Sequence, residues 1–172
     1  MPSVRVLESG RVSYGFAVSG VAPAATPTDV LVLRGATNKI IRVRRLFVGG
    51  FAATTAGVML ASIIKRSAAN TGGTATNPAA VPLDSGDAVA GAQLALYSAN
   101  PTGLGAAVGT VKSRRVFLNL ATAIQDRIEW FWSDVGAKPF QLNSANEYLA
   151  LNFGGGAVPA GGALDFELEW TE

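Results

Sequence analysis

The chain has 172 residues, a length that fits one domain and lets it bury roughly two-thirds of its unfolded surface. It contains neither Cys nor His. This excludes disulfides, zinc sites built on those residues, thiolate nucleophiles and every catalytic triad with a histidine base. Only 15% of the residues are charged and 20 are Gly, which is typical of a loop-rich β protein rather than of an ordinary cytosolic enzyme.

The charges are unevenly distributed along the chain, although the net charge is only +2. Residues 30–115 hold ten basic and two acidic residues, whereas residues 116–172 hold two basic and eight acidic ones. In one folded domain the two segments can neutralise each other. The alternative is a molecule with oppositely charged faces that complement a second copy or a charged partner.

Alternation of apolar and polar residues predicts an all-β fold. The clearest pattern is at 164–170, where four apolar residues lie on one face and three carboxylates on the other. Further strands are predicted at residues 12–18, 28–34, 41–48, 58–66, 93–98, 110–112, 115–120, 126–133, 139–142 and 147–153. Short strands at regular intervals, without a helical period, predict an antiparallel β-sandwich with a jelly-roll-like arrangement. The three Trp residues fall on the predicted core faces.

Two segments need closer interpretation. After Arg44 the apolar pattern of the strand at 41–48 resumes one residue late, which predicts a β-bulge near Arg44 and Arg45. Residues 46–64 carry no charge and are about long enough to span a bilayer. Gly, Thr and Ser lower the hydrophobicity of this segment, and basic residues flank both of its ends. Two strands around a turn are therefore favoured over a membrane-spanning segment.

The domain prediction is one β-sandwich over residues 1–172, with residues 1–10 as an N-terminal arm. The arm reaches an acid at Glu8 and lacks the apolar run of a secretory signal. Residues 67–91 are rich in Ala, Asn, Thr, Gly and Pro and are predicted to form one long loop, of a length that is usually functional or disordered. A short helix within 88–99 is the alternative there, and Gly91 disfavours it.

No motif predicts catalysis, a cofactor or a metal site. The glycine-rich run 103–109 resembles a dinucleotide fingerprint, but its spacing is one residue too long and no helix is predicted after it, so a hairpin loop is favoured. Asp126 and Glu129 lie on opposite faces of a strand, which disfavours the paired carboxylates of a glycosidase. The run Asp-Ser-Gly-Asp at 84–87 favours a turn over a calcium site, because it does not match an EF-hand. We predict a protein that is not an enzyme.

Basic residues on the predicted strands are the candidates for partner contacts. The predicted partner-binding residues are Arg42, Arg44, Arg45, Lys65, Arg66, Arg114 and Arg115. A nucleic-acid backbone suits such charges, but stacking aromatics are expected as well, and the Trp residues are assigned to the core. An acidic protein surface is favoured, because Arg pairs bidentately with carboxylates and is enriched at interfaces. The prediction therefore includes no nucleic acid and no membrane.

Several loop and strand sequences resemble those of small β-rich virion proteins of tailed bacteriophages. They are Lys-Arg-Ser-Ala-Ala-Asn-Thr-Gly-Gly-Thr at 65–74, Val-Pro-Leu-Asp-Ser at 81–85, Ala-Asn-Pro-Thr at 99–102, Ser-Arg-Arg-Val-Phe-Leu at 113–118 and Glu-Trp-Thr-Glu at 169–172. From residue 28 onward the chain resembles the capsid cement (decoration) proteins of the type found in Bordetella phages.

This resemblance implies a jelly-roll-like sandwich that forms a dimer or trimer on the outer surface of the virion capsid. There it would bridge neighbouring subunits of the major capsid protein, with residues 67–91 and the N-terminal arm as contact elements. Because such a protein binds only the assembled shell, it stabilises that state, and many equivalent contacts add through multivalency.

Two alternative functions stay open at this point. One is a carbohydrate-binding or receptor-binding β-sandwich module of a phage fibre or tail, which requires exposed aromatic side chains. The other is a glycosidase that depends on Asp126, Glu129 and Glu147.

Overall fold

The computed structural model describes residues 10–132 and 138–172, and these form twelve β-strands in two sheets. The strands are β1 (Ser13–Val21), β2 (Asp29–Arg34), β3 (Ile41–Phe51), β4 (Gly57–Arg66), β5 (Thr74–Thr76), β6 (Val81–Pro82), β7 (Gln93–Ala99), β8 (Ala107–Leu118), β9 (Arg127–Phe131), β10 (Phe140–Leu142), β11 (Tyr148–Asn152) and β12 (Ala163–Thr171). The strands of each sheet pair in antiparallel fashion. This confirms the predicted antiparallel β-sandwich.

We call the two sheets A and B. Sheet A has the order β10-β3-β12-β1-β6, with β9 also paired to β3. Sheet B has the order β5-β7-β2-β11-β4-β8. Their inward side chains form one hydrophobic core, in which Phe166 of β12 packs against Phe153 at the end of β11 with ring centroids 6.4 Å apart.

The alternation on β12 positions this core. Leu164, Phe166, Leu168 and Trp170 are fully buried, as the sequence predicts. The other two Trp residues, Trp130 and Trp132, are also buried in the core. Because all three indole rings serve the core, none is an exposed stacking surface.

The predicted bulge is confirmed. Glu169 of β12 lies opposite Arg45, and the next residue, Trp170, lies opposite Val43. Arg44 is therefore the extra residue, which returns Leu46 and Val48 to the core side. The uncharged segment 46–64 also forms two strands, since β3 ends at Phe51 and β4 begins at Gly57.

Two strands differ from their predictions. Residues 110–112 and 115–118, which belong to two separate predicted strands, lie in the single strand β8, and residues 119–120 of the second prediction follow its end. In the strand predicted at 147–153, Leu149, Leu151 and Phe153 alternate with Tyr148, Ala150 and Asn152, a pattern that places the more polar group on the outer face. In β11, however, every residue is buried. This strand lies between β2 and β4. Its outer residues Tyr148 and Ala150 pack in a second hydrophobic cluster with Val32.

The prediction of one long structureless loop at 67–91 is wrong in part, and we call this segment the strap. It contains β5, which pairs with β7 in sheet B, and β6, which pairs with β1 in sheet A. The strap therefore runs from one sheet to the other. The alternative helix within 88–99 is wrong, because β7 occupies that region.

The turn prediction is confirmed at 84–87, and the hairpin-loop prediction at 103–109 is wrong. At 84–87, the Gly86 N–H donates to the Asp84 carboxylate at 2.9 Å, which closes a turn. No helix follows the glycine-rich run 103–109, but its last three residues belong to β8, and the strands on either side of it, β7 and β8, are not paired with each other. The N-terminal arm falls almost entirely on residues 1–9, which lie outside the described residues, as does Ser133 of the strand predicted at 126–133. Within the described ranges no helix is long and apolar enough to cross a membrane.

Candidate functional site

The seven predicted partner-binding residues do not form one surface. Arg42, Arg44 and Arg45 lie on β3 in sheet A. Lys65 and Arg66 end β4, and Arg114 and Arg115 lie on β8, both in sheet B. Sequence alternation places residues on the faces of a strand, but it does not predict which strands share a sheet.

Arg45 and Lys65 are already paired within the molecule. The Arg45 guanidinium forms salt bridges to Glu129, Glu167 and Glu169 on the outer face of sheet A. Lys65 lies 3.2 Å from the Glu147 carboxylate. The basic and acidic segments therefore neutralise each other at these sites, which corresponds to the first interpretation of the charge asymmetry.

Arg66 is a correction to the predicted contact residues, because it is 4% exposed and bound internally. Its Nε and Nη2 donate to the two oxygens of the fully buried Asp29 at 2.7 and 2.8 Å, and its Nη1 donates to the Gly105 carbonyl at 2.7 Å. Arg66 is thus a structural cation that no partner can reach. The signal that sequence reasoning missed is Asp29, an acid that begins a strand and is followed by four apolar residues.

Two asparagines complete the network around Asp29 and fix the beginning of the strap. The Asn152 and Asn70 amides donate to the Asp29 carboxylate at 2.7 and 2.9 Å. Asn70 in turn accepts the Gly105 N–H at 2.8 Å. A Cβ on Gly105 would lie 1.9 Å from the Ala68 carbonyl oxygen, so the close approach of the two loops requires glycine here.

Glu172 fixes the other end of the strap. Its carboxylate accepts the backbone N–H groups of Gly91 and Ala92, each at 2.9 Å, and forms a salt bridge with Lys39 at 2.6 Å. Burial alone raises the pKa of the Glu172 carboxyl, but the hydrogen bonds from Ala92, Lys39, Gly91 and Trp170 outweigh it and leave this pKa below its usual value of 4.5. The Glu172 bond raises the pKa of Lys39.

We expect the stabilisation by Glu172 to depend on pH. Because the folded-state pKa of this carboxyl is lowered, its contribution is fully present above the unfolded pKa and is lost as pH falls through the folded value. At pH 7, Glu172→Gln should lower the free energy of unfolding by about 1–3 kcal/mol, the range for hydrogen bonds to charged groups. Urea unfolding of both proteins over a pH series measures this difference. A difference that stays constant below pH 4.5 would contradict the assignment.

β8 is an end strand of sheet B and carries three exposed basic residues, Lys112, Arg114 and Arg115. Residues 107–115 of this strand are all exposed, and within the described residues no strand pairs with its outer edge. Lys112 lies over the Trp132 ring, 5.7 Å from its centroid. In the described chain, Lys112, Arg114 and Arg115 have no carboxylate within salt-bridge distance. We call β8 together with its three cations the β8 edge.

An apolar patch adjoins the β8 edge. Val58 lies directly opposite Phe117, and the next outward residue of β4, Leu60, lies opposite Arg115. These three apolar side chains are 56%, 41% and 45% exposed. Asp126 accepts the Phe117 N–H at 3.1 Å and so covers one backbone donor of the edge. A contiguous exposed apolar group beside free cations is typical of an interaction surface.

A cleft of about 480 Å³ lies between the strap and the outer face of sheet B. It is lined by Val32, Ala95, Tyr97 and Tyr148 of the sheet, by Arg34 and Gln93, and by Asn70, Asn77 and the alanine-rich parts of the strap. Burial raises the pKa of the Tyr97 hydroxyl, and a hydrogen bond with the Asn70 side chain lowers it by less. The net effect is a raised pKa, so this hydroxyl is neutral at pH 7. The sequence prediction treated 67–91 as a contact loop and did not include this cleft.

Comparison with protein-family models, with curated proteins and with solved structures finds no match to this chain.

Proposed function

We propose that this protein is a non-enzymatic structural component of a phage particle, located on the outer surface of the capsid. In this proposal it binds the major capsid protein and bridges neighbouring shell subunits. The observation that carries the proposal is the β8 edge. Among the described residues, it combines an unpaired strand edge, three cations without a carboxylate partner and the adjoining patch of Val58, Leu60 and Phe117. Backbone pairing, charge and apolar contact are the three ways in which such an edge binds another chain.

The strand order also supports this proposal. Without the short strands β5, β6 and β10 and the strand β7, sheet A has the order β1-β12-β3-β9 and sheet B the order β2-β11-β4-β8. Successive strands of this set pass mostly from one sheet to the other. We infer from this order that the sandwich is a jelly roll, an architecture that occurs in viral capsid and lectin domains.

The charge of the β8 edge favours a different chain over a second copy. Antiparallel pairing of two β8 edges would bring Lys112, Arg114 and Arg115 of both copies close together, and like charges across strands are destabilising. An acidic surface or extended segment of a shell subunit neutralises them instead. The proposed dimer or trimer contact therefore uses another part of the molecule.

We expect a variant with Arg114→Glu and Arg115→Glu to bind particles at least about tenfold more weakly than the unchanged protein, a loss of about 1.4 kcal/mol. Both side chains are exposed, so the fold should survive. The measurement mixes purified protein with capsids stripped of this chain and quantifies the protein that co-sediments with them.

The matched control carries the same change of charge elsewhere, Arg127→Glu with Lys138→Glu. Both residues are exposed and lie outside β8 and its adjoining apolar patch. Equal retention of the two variants on capsids would remove the β8 edge from the proposed contact.

A further inference from the structure

The cleft beneath the strap has a floor with two tyrosines separated by small residues. Val32 of β2 lies opposite Ala95 of β7 and opposite Ala150 of β11, which leaves a shallow apolar strip. Tyr97 and Tyr148 flank this strip and pack with it in the second hydrophobic cluster. The result is a trough with an apolar floor and a phenol on each side.

Polar groups line the cleft above this floor. Gln93 lies directly opposite Arg34, and Asn70 and Asn77 extend from the strap. Side-chain amides and phenols provide both donors and acceptors. The cleft therefore matches a ligand that has a flat apolar side and several hydroxyl groups.

Among the residues that the structure describes, Arg34 is the only charged one that lines the cleft. It is half-buried; its Nε donates to the Ala145 carbonyl at 2.8 Å and its Nη1 approaches the Gln93 amide oxygen at 3.4 Å. Within the described residues no carboxylate lies within salt-bridge distance of it. Its other N–H donors form a planar fork without a counter-ion, which suits a carboxylate.

Other classes of ligand fit less well. A cationic ligand finds no carboxylate among the lining residues, and a polyphosphate finds a single cation. An extended peptide cannot add a strand, because β2, β7 and β11 are paired on both sides. A purely apolar ligand would leave the Arg34 charge and the amides unpaired, which is costly.

We propose that this cleft binds an acidic sugar, with its ring on the Tyr97–Tyr148 trough and its carboxylate on Arg34. The volume, about 480 Å³, lies within the range of small-ligand sites. This inference goes beyond the structural function proposed above. β4 lies between β11, which forms one side of the cleft floor, and the β8 edge in sheet B, so both sites can be occupied together.

The test is a calorimetric titration of the full chain with glucuronic acid and N-acetylneuraminic acid, and with glucose and N-acetylglucosamine as neutral counterparts. Acetate serves as the bare carboxylate. We expect at least one acidic sugar to bind about tenfold or more tightly than the neutral sugars and than acetate. Absence of binding by both acidic sugars at 10 mM, roughly the weak limit of such sites, would overturn the proposal. Equal binding of neutral sugars or of acetate would overturn it too.

Variants of the full chain locate the site. We expect Arg34→Gln to abolish the preference for the acidic sugar, and Gln93→Ala, at an exposed position, to weaken its binding severalfold. Phe131→Ala removes a 63% exposed aromatic ring on sheet A and should leave binding unchanged. Loss of binding in the Phe131 variant, or full binding by Arg34→Gln with an unchanged unfolding midpoint, would overturn the assignment. Capsid binding by the Arg114/Arg115 variant is measured separately, so failure of either proposal is recognised independently.

Discussion

We expect Asp29→Asn to lower the free energy of unfolding by about 3–5 kcal/mol, the range for breaking a buried ion pair. The substitution preserves the shape of the side chain but removes the charge that compensates Arg66. Both residues are buried, at 0% and 4% exposure, so water cannot replace the lost partner. The amide also presents N–H donors to Asn70 and Asn152, which themselves donate to Asp29. Urea unfolding followed by circular dichroism measures the change.

A matched control is Glu167→Gln, the same change of carboxylate to amide at an exposed pair. Glu167 lies 3.3 Å from Arg45 with 46% of its side chain exposed, and such surface pairs contribute less than about 1 kcal/mol. A double variant, Asp29→Asn with Arg66→Met, should recover part of the loss because it also removes the buried cation. An Asp29→Asn effect as small as that of Glu167→Gln would contradict the structural importance of this network.

We expect Phe166→Ala to lower the free energy of unfolding by about 3–5 kcal/mol, because it opens a cavity in the core. Phe166 is completely buried on β12 of sheet A and packs against Phe153, which follows β11 of sheet B. It therefore contributes directly to the packing between the two sheets. Thermal or urea unfolding provides the measurement.

Phe131→Ala is the matched control, with the same atoms removed from a ring that is 63% exposed. Its effect should stay within about 0.5 kcal/mol. If the two variants are equally stable, Phe166 does not lie between the sheets as described.

Much of the fold can be predicted from the sequence where one face of a strand is buried and the other is not. The pattern at 164–170 predicts the buried face of β12 because apolar and charged residues alternate without interruption. The bulge at Arg44 is likewise visible as a one-residue delay in the apolar pattern. In both cases the signal is local, so pairing partners need not be known.

Features that depend on distant residues could not be predicted. The strap has few large apolar residues, and its short strands form only because β7 and β1 offer free edges. Arg66 appears in the sequence as one more exposed cation, and it is buried because Asp29, 37 residues away, provides the matching carboxylate. β11 was expected to have one more polar face, and the strap and neighbouring strands cover it instead.

The candidate surfaces also depend on contacts between distant residues, and the sequence alone could not predict them. The sequence identified Arg114 and Arg115 as candidates, but it grouped them with Arg45 and Lys65, which are neutralised by carboxylates from the acidic segment. The β8 edge and the cleft under the strap emerge only from strand order and register. The proposal of a capsid role rests on these surfaces together with the sequence resemblance.

The most direct test of the capsid proposal is to fractionate a lysate of the source phage on a density gradient and quantify this chain in each fraction. The proposal predicts co-migration with full particles at a copy number comparable to that of the major capsid protein, since shell positions are numerous and equivalent. Absence from the particle fractions, or only a handful of copies per particle, would contradict a role in capsid decoration.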